Sequence, residues 1–189
     1  TEVLSYPFVS EADNRLFGDA DVPGVALENA LDSLVNRMRV SLIPGLLGVA
    51  HRNVSRGFTS LGIFEAGLVF LPHGQLGTPS IPEGATKPSD STLTELYAST
   101  PEQPWTVAGL FLGPAVQKSP GLGELGSSIH DAIDALRVVA NALGAQIVLE
   151  QSSHPAFHPG RCARVLVRGV DVGIVGELLP SVARERDIP

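Results

Sequence analysis

The chain has 189 residues, of which 43% are hydrophobic and 17% are charged, and it carries a formal net charge of −7 at pH 7. This composition predicts one globular domain with a continuous core rather than a disordered segment. The negative charge would repel a phosphate backbone, which argues against nucleic-acid binding through this chain alone. Cys162 is the single cysteine, so an internal disulfide is excluded and a reducing cytoplasm is the default compartment.

The sequence shows neither an apolar run long enough to span a membrane nor a signal-peptide pattern. The first residue is Thr1 rather than methionine, and we therefore expect a piece of a longer chain.

The first forty residues predict short extended segments and turns. Residues 2–9 have the β-branched and aromatic content of a strand, which Pro7 confines to a sheet edge or a strand end. The polar stretch 11–23 predicts a loop, and residues 25–27 predict a short strand. Asp32 is expected to cap a short helical turn that runs to about Met38.

An amphipathic helix is predicted to begin near Ser41. Pro44 fits its first turn, where a missing N–H does no harm, and Gly57 supplies the left-handed residue that commonly ends a helix. The apolar face consists of Leu42, Ile43, Leu46, Leu47, Val49, Ala50 and Val54.

Residues 61–71 predict a strand in which Ile63, Glu65, Gly67 and Val69 share one face and Phe64, Ala66, Leu68 and Phe70 share the other. Both faces are mostly apolar, which predicts a central strand that is covered on each side. Glu65 should then be a buried carboxylate. Because a buried charge requires a partner, we expect Arg39 to pair with it. The alternative is that Glu65 acts as a general base.

The middle of the chain predicts a loop, a strand and a second amphipathic helix. Residues 73–104 are rich in Pro, Gly, Ser and Thr and predict a long, mobile loop with one helical turn near 92–98. Residues 105–112 predict a strand and 114–126 a connection. The helix is predicted over 127–143, capped by Ser127 or Ser128 and closed by Gly144. Its buried face would comprise Ile129, Ala132, Ile133, Leu136, Val139, Ala140 and Leu143.

The last third predicts strands at residues 146–150, 162–167 and 172–177, with a hairpin turn at 168–171 and a final helix over 180–186. Paired strands with helices between the pairs predict an α+β fold, in which helices flank a mainly antiparallel sheet.

Two histidines, His154 and His158, stand four residues apart, a spacing that zinc ligands use on helices. Pro155 and Pro159 disfavour a regular helix there, so we interpret both as ordinary loop histidines.

The start of the second helix contains the groups of a nucleophilic triad, but residues so close on one helix cannot converge as a triad does. We interpret them as caps and a solvated face. They are Ser127, Ser128, His130, Asp131 and Asp134.

The glycine-rich stretch 120–126 lacks a phosphate-loop pattern, and Cys162 lies in a predicted strand without a neighbouring base. We therefore predict no catalytic, cofactor-binding or metal-binding residue.

Several blocks resemble, in the same order, the beta chain of bacterial-type phenylalanyl-tRNA synthetase. They are residues 2–10 (EVLSYPFVS), 27–29 (LEN), 39–47 (RVSLIPGLL) with Asn53 and Arg56, 63–70 (IFEAGLVF), 158–161 (HPGR) and 172–180 (VGIVGELLP). The chain departs from the usual family pattern at Ala30, at Leu179 and over residues 130–136.

This resemblance implies a class II aminoacyl-tRNA synthetase-like fold in a single domain over residues 1–189, truncated at both ends. It also implies a cytoplasmic assembly of two alpha and two beta chains that attaches phenylalanine to its tRNA with ATP and Mg²⁺. The alpha chain of that family carries the active site, while other beta domains contact tRNA. The module resembled here is a degenerate copy of the catalytic core that supports assembly.

The residues agree with such a copy. A working class II enzyme would present an arginine for the ATP phosphates after the strand that matches residues 61–70, whereas this sequence continues Leu71-Pro72-His73. The ATP and Mg²⁺ sites are therefore expected outside this chain. The alternatives are a free-standing ATP-dependent ligase with its own pocket and an interaction module that reuses the fold.

Overall fold

The computed structural model describes residues 1–18, 21, 24–72, 82 and 84–189. Its helices are α1 Glu11–Phe17, α2 Ile43–Val54, α3 Asp90–Ala98, α4 Ile129–Ala142 and α5 Pro180–Glu185. Its strands are β1 Phe8–Val9, β2 Arg37–Met38, β3 Leu61–Leu68, β4 Trp105–Leu112, β5 Pro114–Val116, β6 Leu125–Gly126, β7 Ile147–Gln151, β8 Phe157–Val167 and β9 Val170–Leu178. They pair as β1-β2, β3-β4, β5-β6 and β7-β8-β9. The predicted α+β class is confirmed.

The chain divides into two compact units. Unit 1 comprises Thr1–Ser5, Gly45–Glu65 and Ala108–Pro189, and unit 2 comprises Tyr6–Pro44 and Ala66–Val107. The single domain over residues 1–189 stays a prediction.

The core of unit 1 forms where α2 packs on β3 and β4. Leu46 and Val49 of the helix pack with Ile63 of β3, and the partly buried Val3, Ala108 and Leu110 close around them. Each such side chain contributes roughly 1.5–3 kcal/mol when it is fully buried. The predicted amphipathic helix is confirmed, and Gly57 follows it with φ 88°.

Unit 1 also contains the antiparallel sheet β7-β8-β9. Val167 pairs with Val170, so the intervening turn has only two residues, Arg168 and Gly169. Their φ angles are 52° and 81°, which is the pattern of a type I′ turn that matches the twist of a hairpin. The predicted hairpin is confirmed.

Unit 2 contains a buried amide, that of Asn14 on α1. The Asn14 side chain donates to the Met38 carbonyl at 2.9 Å and accepts from the Val40 N–H at 3.1 Å. The amide therefore takes the place of a neighbouring strand beside residues 38–40, which explains why a polar side chain is buried on α1.

The loop predicted over residues 11–23 is wrong at its start, because residues 11–17 form α1. Ser10 caps this helix by accepting from the Asp13 N–H at 3.1 Å. The acidic residues Glu11 and Asp13 lie in its first turn, where the helix dipole favours them. The polar composition of this stretch predicted a loop, although Ser10 caps a short helix that buries only Asn14 and Phe17.

The predicted helical turn at residues 32–38 is also wrong. Asp32 accepts from the Leu34 N–H at 2.8 Å within a turn, and residues 37–38 then form β2. An Asp side chain bonds its own backbone two residues on as readily as it caps a helix, so the sequence signal was ambiguous.

Two predicted connections contain regular structure. Residues 90–98 of the predicted 73–104 loop form α3, capped by Ser89; residues 73–81 and 83 of that loop lie outside the described ranges. Within 114–126, β5 and β6 pair as a short antiparallel ribbon. The predicted helix over 127–143 is confirmed as α4, although Leu143 of its predicted buried face is 78% exposed.

Strand β3 follows the predicted alternation, since Ile63, Glu65 and Val69 are buried on one face. It has neighbours on both edges at Phe64, because β4 pairs on one side and Glu2 forms a parallel bridge on the other. The predicted cover on each face is wrong, since Phe64 on the second face is 43% exposed. The strand also ends at Leu68 rather than at Leu71.

Candidate functional site

Glu65 is the residue that the sequence singles out most clearly, and the structure places it in the centre of unit 1. Its side chain is fully buried, which confirms the predicted burial. The Ser5 hydroxyl donates to Glu65 Oε2 at 2.5 Å. A short bond to a carboxylate is the charge-assisted kind, which compensates part of the cost of removing the charge from water.

The first turn of α2 completes the surroundings of this carboxylate. A Cβ atom placed on Gly45 would lie 2.2 Å from Ser5 Oγ and 3.7 Å from Glu65 Oε2. The helix N-terminus, where N–H groups and the dipole favour an anion, therefore approaches Glu65 closely because residue 45 has no side chain. Ser5, Gly45 and Glu65 together join three segments of unit 1 that are distant in sequence.

Arg39, the predicted partner of Glu65, is buried in unit 2. Its Nε donates to the Leu68 carbonyl at 2.9 Å, and its own carbonyl accepts from the Phe70 N–H at 2.9 Å. These bonds fix Arg39 to the last residue of β3 and to Phe70 just beyond it. The pairing of Arg39 with Glu65 stays a prediction.

The two histidines of the HPAFHP stretch are used in the same local way. His154 Nδ1 accepts from the Ala156 N–H and His158 Nδ1 from the Gly160 N–H, each at 3.1 Å. Each ring thus closes a turn within its own segment. Burial lowers the pKa of His154, whose ring also packs against Phe157 at a centroid distance of 5.0 Å. The interpretation of both residues as ordinary histidines agrees with these contacts.

The residues at the start of α4 form a capping box. Ser128 Oγ accepts from the His130 N–H at 3.2 Å, and Asp131 Oδ2 accepts from the Ser128 N–H at 2.7 Å. The bond from Ser128 lowers the pKa of Asp131. Asp134 pairs with Arg137 at 2.9 Å on the exposed face. The interpretation as caps and a solvated face is confirmed, with Ser128 as the cap.

Cys162 lies in β8 and is buried, and this burial raises the pKa of its thiol. A protonated thiol is a poor nucleophile and a poor metal ligand, so the side chain acts as a small apolar group. Among the described residues, no three His, Cys, Asp or Glu side chains are grouped as a metal ion would require.

The outward face of β3 and β4 within unit 1 carries exposed aromatic side chains and glycines. Phe64 and Phe111 project from it, 43% and 40% exposed. A Cβ atom on Gly62 would lie 3.6 Å from the Phe111 ring, and one on Gly109 would lie 3.9 Å from the Phe64 Cβ. Each aromatic side chain thus lies beside a glycine of the neighbouring strand. A triphosphate needs cations and N–H donors, and this face presents rings and glycines instead.

Unit 1 also contains two cavities. One, of about 280 Å³, lies between α2 and the end of α5 and is lined by His51, Glu185 and Asp187 among others. The other, of about 560 Å³, lies between the end of α4, the start of β7 and the β8-β9 turn.

Sequence reasoning did not identify Ser5 as the donor to Glu65. The signal was present, because Ser5 alternates with Leu4 and Tyr6 and so lies on the inward face of the first extended segment. The 560 Å³ cavity had no such signal, since its residues come from 143–148 and 167–169 and meet only through the sheet register.

In the described part of the chain, none of the helices is both long and apolar enough to span a membrane.

The family model described as "Phenylalanyl tRNA synthetase beta chain CLM domain" matches residues 1–189.

Individual relatives agree with the family match. The chain is 44% identical over 196 residues to a protein of Leifsonia xyli subsp. xyli named "Phenylalanine--tRNA ligase beta subunit", covering 100% of this chain and 23% of the relative. Proteins of the same name from Tropheryma whipplei and Bifidobacterium longum are 38% and 36% identical, over 94% and 100% of this chain and 19% and 23% of theirs. The chain therefore spans about a fifth to a quarter of the length of the curated relatives it matches.

Proposed function

Because the chain belongs to the phenylalanyl-tRNA synthetase beta chain CLM domain family, we propose that it is the catalytic-like module of a phenylalanine–tRNA ligase beta subunit. In this proposal the module has a class II synthetase-like fold and supports assembly with a catalytic alpha subunit in the cytoplasm. It does not itself form the aminoacyl bond.

The observation that carries the non-catalytic role is the apolar outward face of β3 and β4. The resemblance implies that a working class II enzyme presents an ATP-binding arginine at the strand that matches residues 61–70, whereas the outward face of that strand and of β4 carries Phe64, Phe111 and the two glycines beside them. Phosphoryl and adenylyl transfer depend on cations that neutralise the phosphates, and rings and glycines cannot do so. The residues on this face therefore do not fit ATP or Mg²⁺, and we propose that both sites lie outside this chain.

The interior agrees with a scaffold. Glu65, the one acidic side chain that is fully buried in the described residues, is held by Ser5 and the first turn of α2 and cannot reach a substrate without opening the core. Its contacts join segments of unit 1 and stabilise the fold, which is what a module with an architectural role requires.

Phenylalanine-dependent ATP–pyrophosphate exchange tests this proposal. The chain alone should show no exchange above the background of buffer without protein. The full-length chain that contains this module, co-expressed with an alpha subunit, should co-purify with it and give robust exchange. Turnover by the isolated chain would instead support a free-standing ligase, and a full-length chain that never retains an alpha subunit would rule out the assembly role.

A matched variant sharpens the comparison. Glu65→Gln should lower the thermal stability of the complex, because the carboxylate is a structural group. The rate of ATP–pyrophosphate exchange per folded complex should change little. A full loss of exchange with unchanged stability would contradict the assignment.

A further inference from the structure

Two histidines before and within β8 make the same contact. His154 Nδ1 accepts from the Ala156 N–H and His158 Nδ1 accepts from the Gly160 N–H, in each case from two residues further along the chain. A ring nitrogen accepts a hydrogen bond only when it carries no proton, so both bonds require neutral imidazoles. We call residues 154–161 the histidine-closed segment.

The pairing of β8 with β9 is irregular over this segment. The register shifts between the pair Phe157–Leu178 and the pair Cys162–Gly176. The backbone between these pairs lies outside the regular ladder and is held by local bonds, such as the one that His158 accepts. Backbone with few ladder bonds opens at a lower free energy than the strands around it.

The histidine-closed segment also holds the start of α5. Ala156 is fully buried, and its carbonyl accepts from the Leu179 N–H at 2.9 Å. Leu179 is the N-cap of α5, a helix of six residues, and in the described part of the chain it makes no side-chain cap bond. A short helix without such a cap depends on its tertiary contacts. Ala156 therefore connects the His154 ring to the helix start.

The acidic groups of the surrounding sheet do not pair with these rings. The charged side chains of β7, β8, β9 and α5 are Glu150, Arg161, Arg164, Asp171, Glu177, Arg184 and Glu185. Glu177 pairs with Arg161, and Glu150 pairs with Arg164. Among the described residues, neither His154 nor His158 forms an ion pair. A proton on either ring thus removes a backbone bond and gains no ion pair in return.

Burial acts in the same direction at His154. It lowers the pKa of this ring, which packs against Phe157, so the fold favours the neutral form. The stabilisation by the neutral ring is complete above pH 6.5 and is lost as the pH falls below that value. Histidine is the side chain whose charge ordinarily changes between about pH 5 and pH 8.

We propose that the histidine-closed segment is a pH-sensitive latch for the start of α5. With both rings neutral, the two turns are closed and the Ala156 carbonyl holds the Leu179 N–H. Protonation removes both ring acceptors, the turns open, and the start of α5 detaches while α2 and its core contacts stay in place.

Native-state hydrogen exchange, followed by NMR on this chain in low concentrations of urea, tests the latch. The amides of Leu179 and Ala183, which bond Ala156 and Leu179, should exchange through an opening that does not respond to urea, because little surface is exposed. The equilibrium constant of this opening should rise about tenfold from about pH 7.5 to about pH 5.5, because two backbone acceptors are lost. The amide of Ala50 in α2 should exchange only through urea-dependent unfolding.

The double variant His154→Asn, His158→Asn separates titration from turn geometry. An Asn side chain accepts the N–H two residues further on but does not titrate, so the opening constant should be the same at both pH values. A merely structural role of the rings would leave the rise with acidity in place. His130→Gln, at an exposed position of α4, is the matched control and should keep the wild-type rise.

The wild-type chain also supplies a test that needs no variant. The NMR signal of the His154 ring and the opening constant at Leu179 should change over the same pH range. Exchange of Leu179 with the same urea dependence as Ala50 would overturn the proposal, since α5 would then open only with the whole unit. An opening constant that is independent of pH in the wild type, or a double variant that retains the rise, would overturn it as well.

Discussion

The most informative single contact in this molecule joins Ser5 to Glu65. A buried carboxylate is costly unless hydrogen bonds replace its water shell, and here a hydroxyl bonds Oε2 at 2.5 Å while a helix start lies beside it. The contact links residues sixty positions apart in the chain. Its effect on stability should therefore exceed that of an ordinary surface serine.

Ser5→Ala tests that expectation. Removal of the hydroxyl leaves a buried acceptor with one donor fewer, which should lower the free energy of unfolding by about 1–3 kcal/mol. Urea denaturation followed by circular dichroism measures the change. Ser55→Ala, at an exposed position just after α2, serves as the control and should stay within about 0.5 kcal/mol of the wild type. Equal behaviour of the two variants would mean that the contact is not a structural link.

The second residue with a measurable signature is His154. Burial holds its pKa below the usual 6.5 in the folded chain. As the pH falls, the unfolded chain takes up the proton first, so the stabilisation is complete above pH 6.5 and is lost through the window below it. Protonation of Nδ1 would also remove the acceptor for the Ala156 N–H.

His154→Asn separates this titration from the turn geometry, because an Asn side chain accepts the same backbone N–H but does not titrate. The free energy of unfolding, measured from about pH 8 to about pH 5.5, should fall more steeply for the wild type than for the variant. Parallel curves for the two proteins would contradict the assignment of the pH dependence to His154.

At the scale of elements, helix α4 shows how far local sequence rules extend. Its start was predicted from adjacent serines, and the structure shows that Ser128 and Asp131 satisfy each other's backbone N–H groups. A capping box satisfies the first backbone N–H groups through residues that are close in sequence, so this helix start can be predicted locally.

Ser128→Ala should destabilise the chain by about 1 kcal/mol, within the 0.5–2 kcal/mol range of N-cap substitutions. The adjacent Ser127→Ala is a close control, since no bond of the capping box involves Ser127. Chemical denaturation of both variants measures the difference. A larger loss of unfolding free energy for Ser127→Ala than for Ser128→Ala would contradict the assignment of Ser128 as the cap.

Helix α1 was not predicted from the sequence, and the reason is physical. Helix α1 is short and polar, and it is stabilised by the buried Asn14 amide and by Glu11, whose pKa Arg15 and Arg37 lower. Arg37 belongs to β2, so part of this stabilisation comes from another element. A short helix whose support is tertiary carries little hydrophobic periodicity to detect.

At the scale of the whole molecule, the proposed role depends on surfaces rather than on a reactive centre. The outward face at Phe64 and Phe111 exposes apolar side chains. The curated relatives are about four to five times longer than this chain, so much of their structure is available to meet such surfaces. In our proposal, this apolar face belongs to a module that supports assembly and does not hold ATP.

The sequence by itself determined the α+β class, helices α2 and α4, the 168–169 hairpin, the burial of Glu65 and the family. All of these follow from local periodicity, caps, turn residues or collinear motifs, which are properties of contiguous residues. Only the tertiary structure decided that Ser5 donates to Glu65, that Phe64 faces outward beside Gly109, and that Arg168 meets Leu143 in a cleft. These contacts join residues distant in sequence, and strand register and packing bring them together.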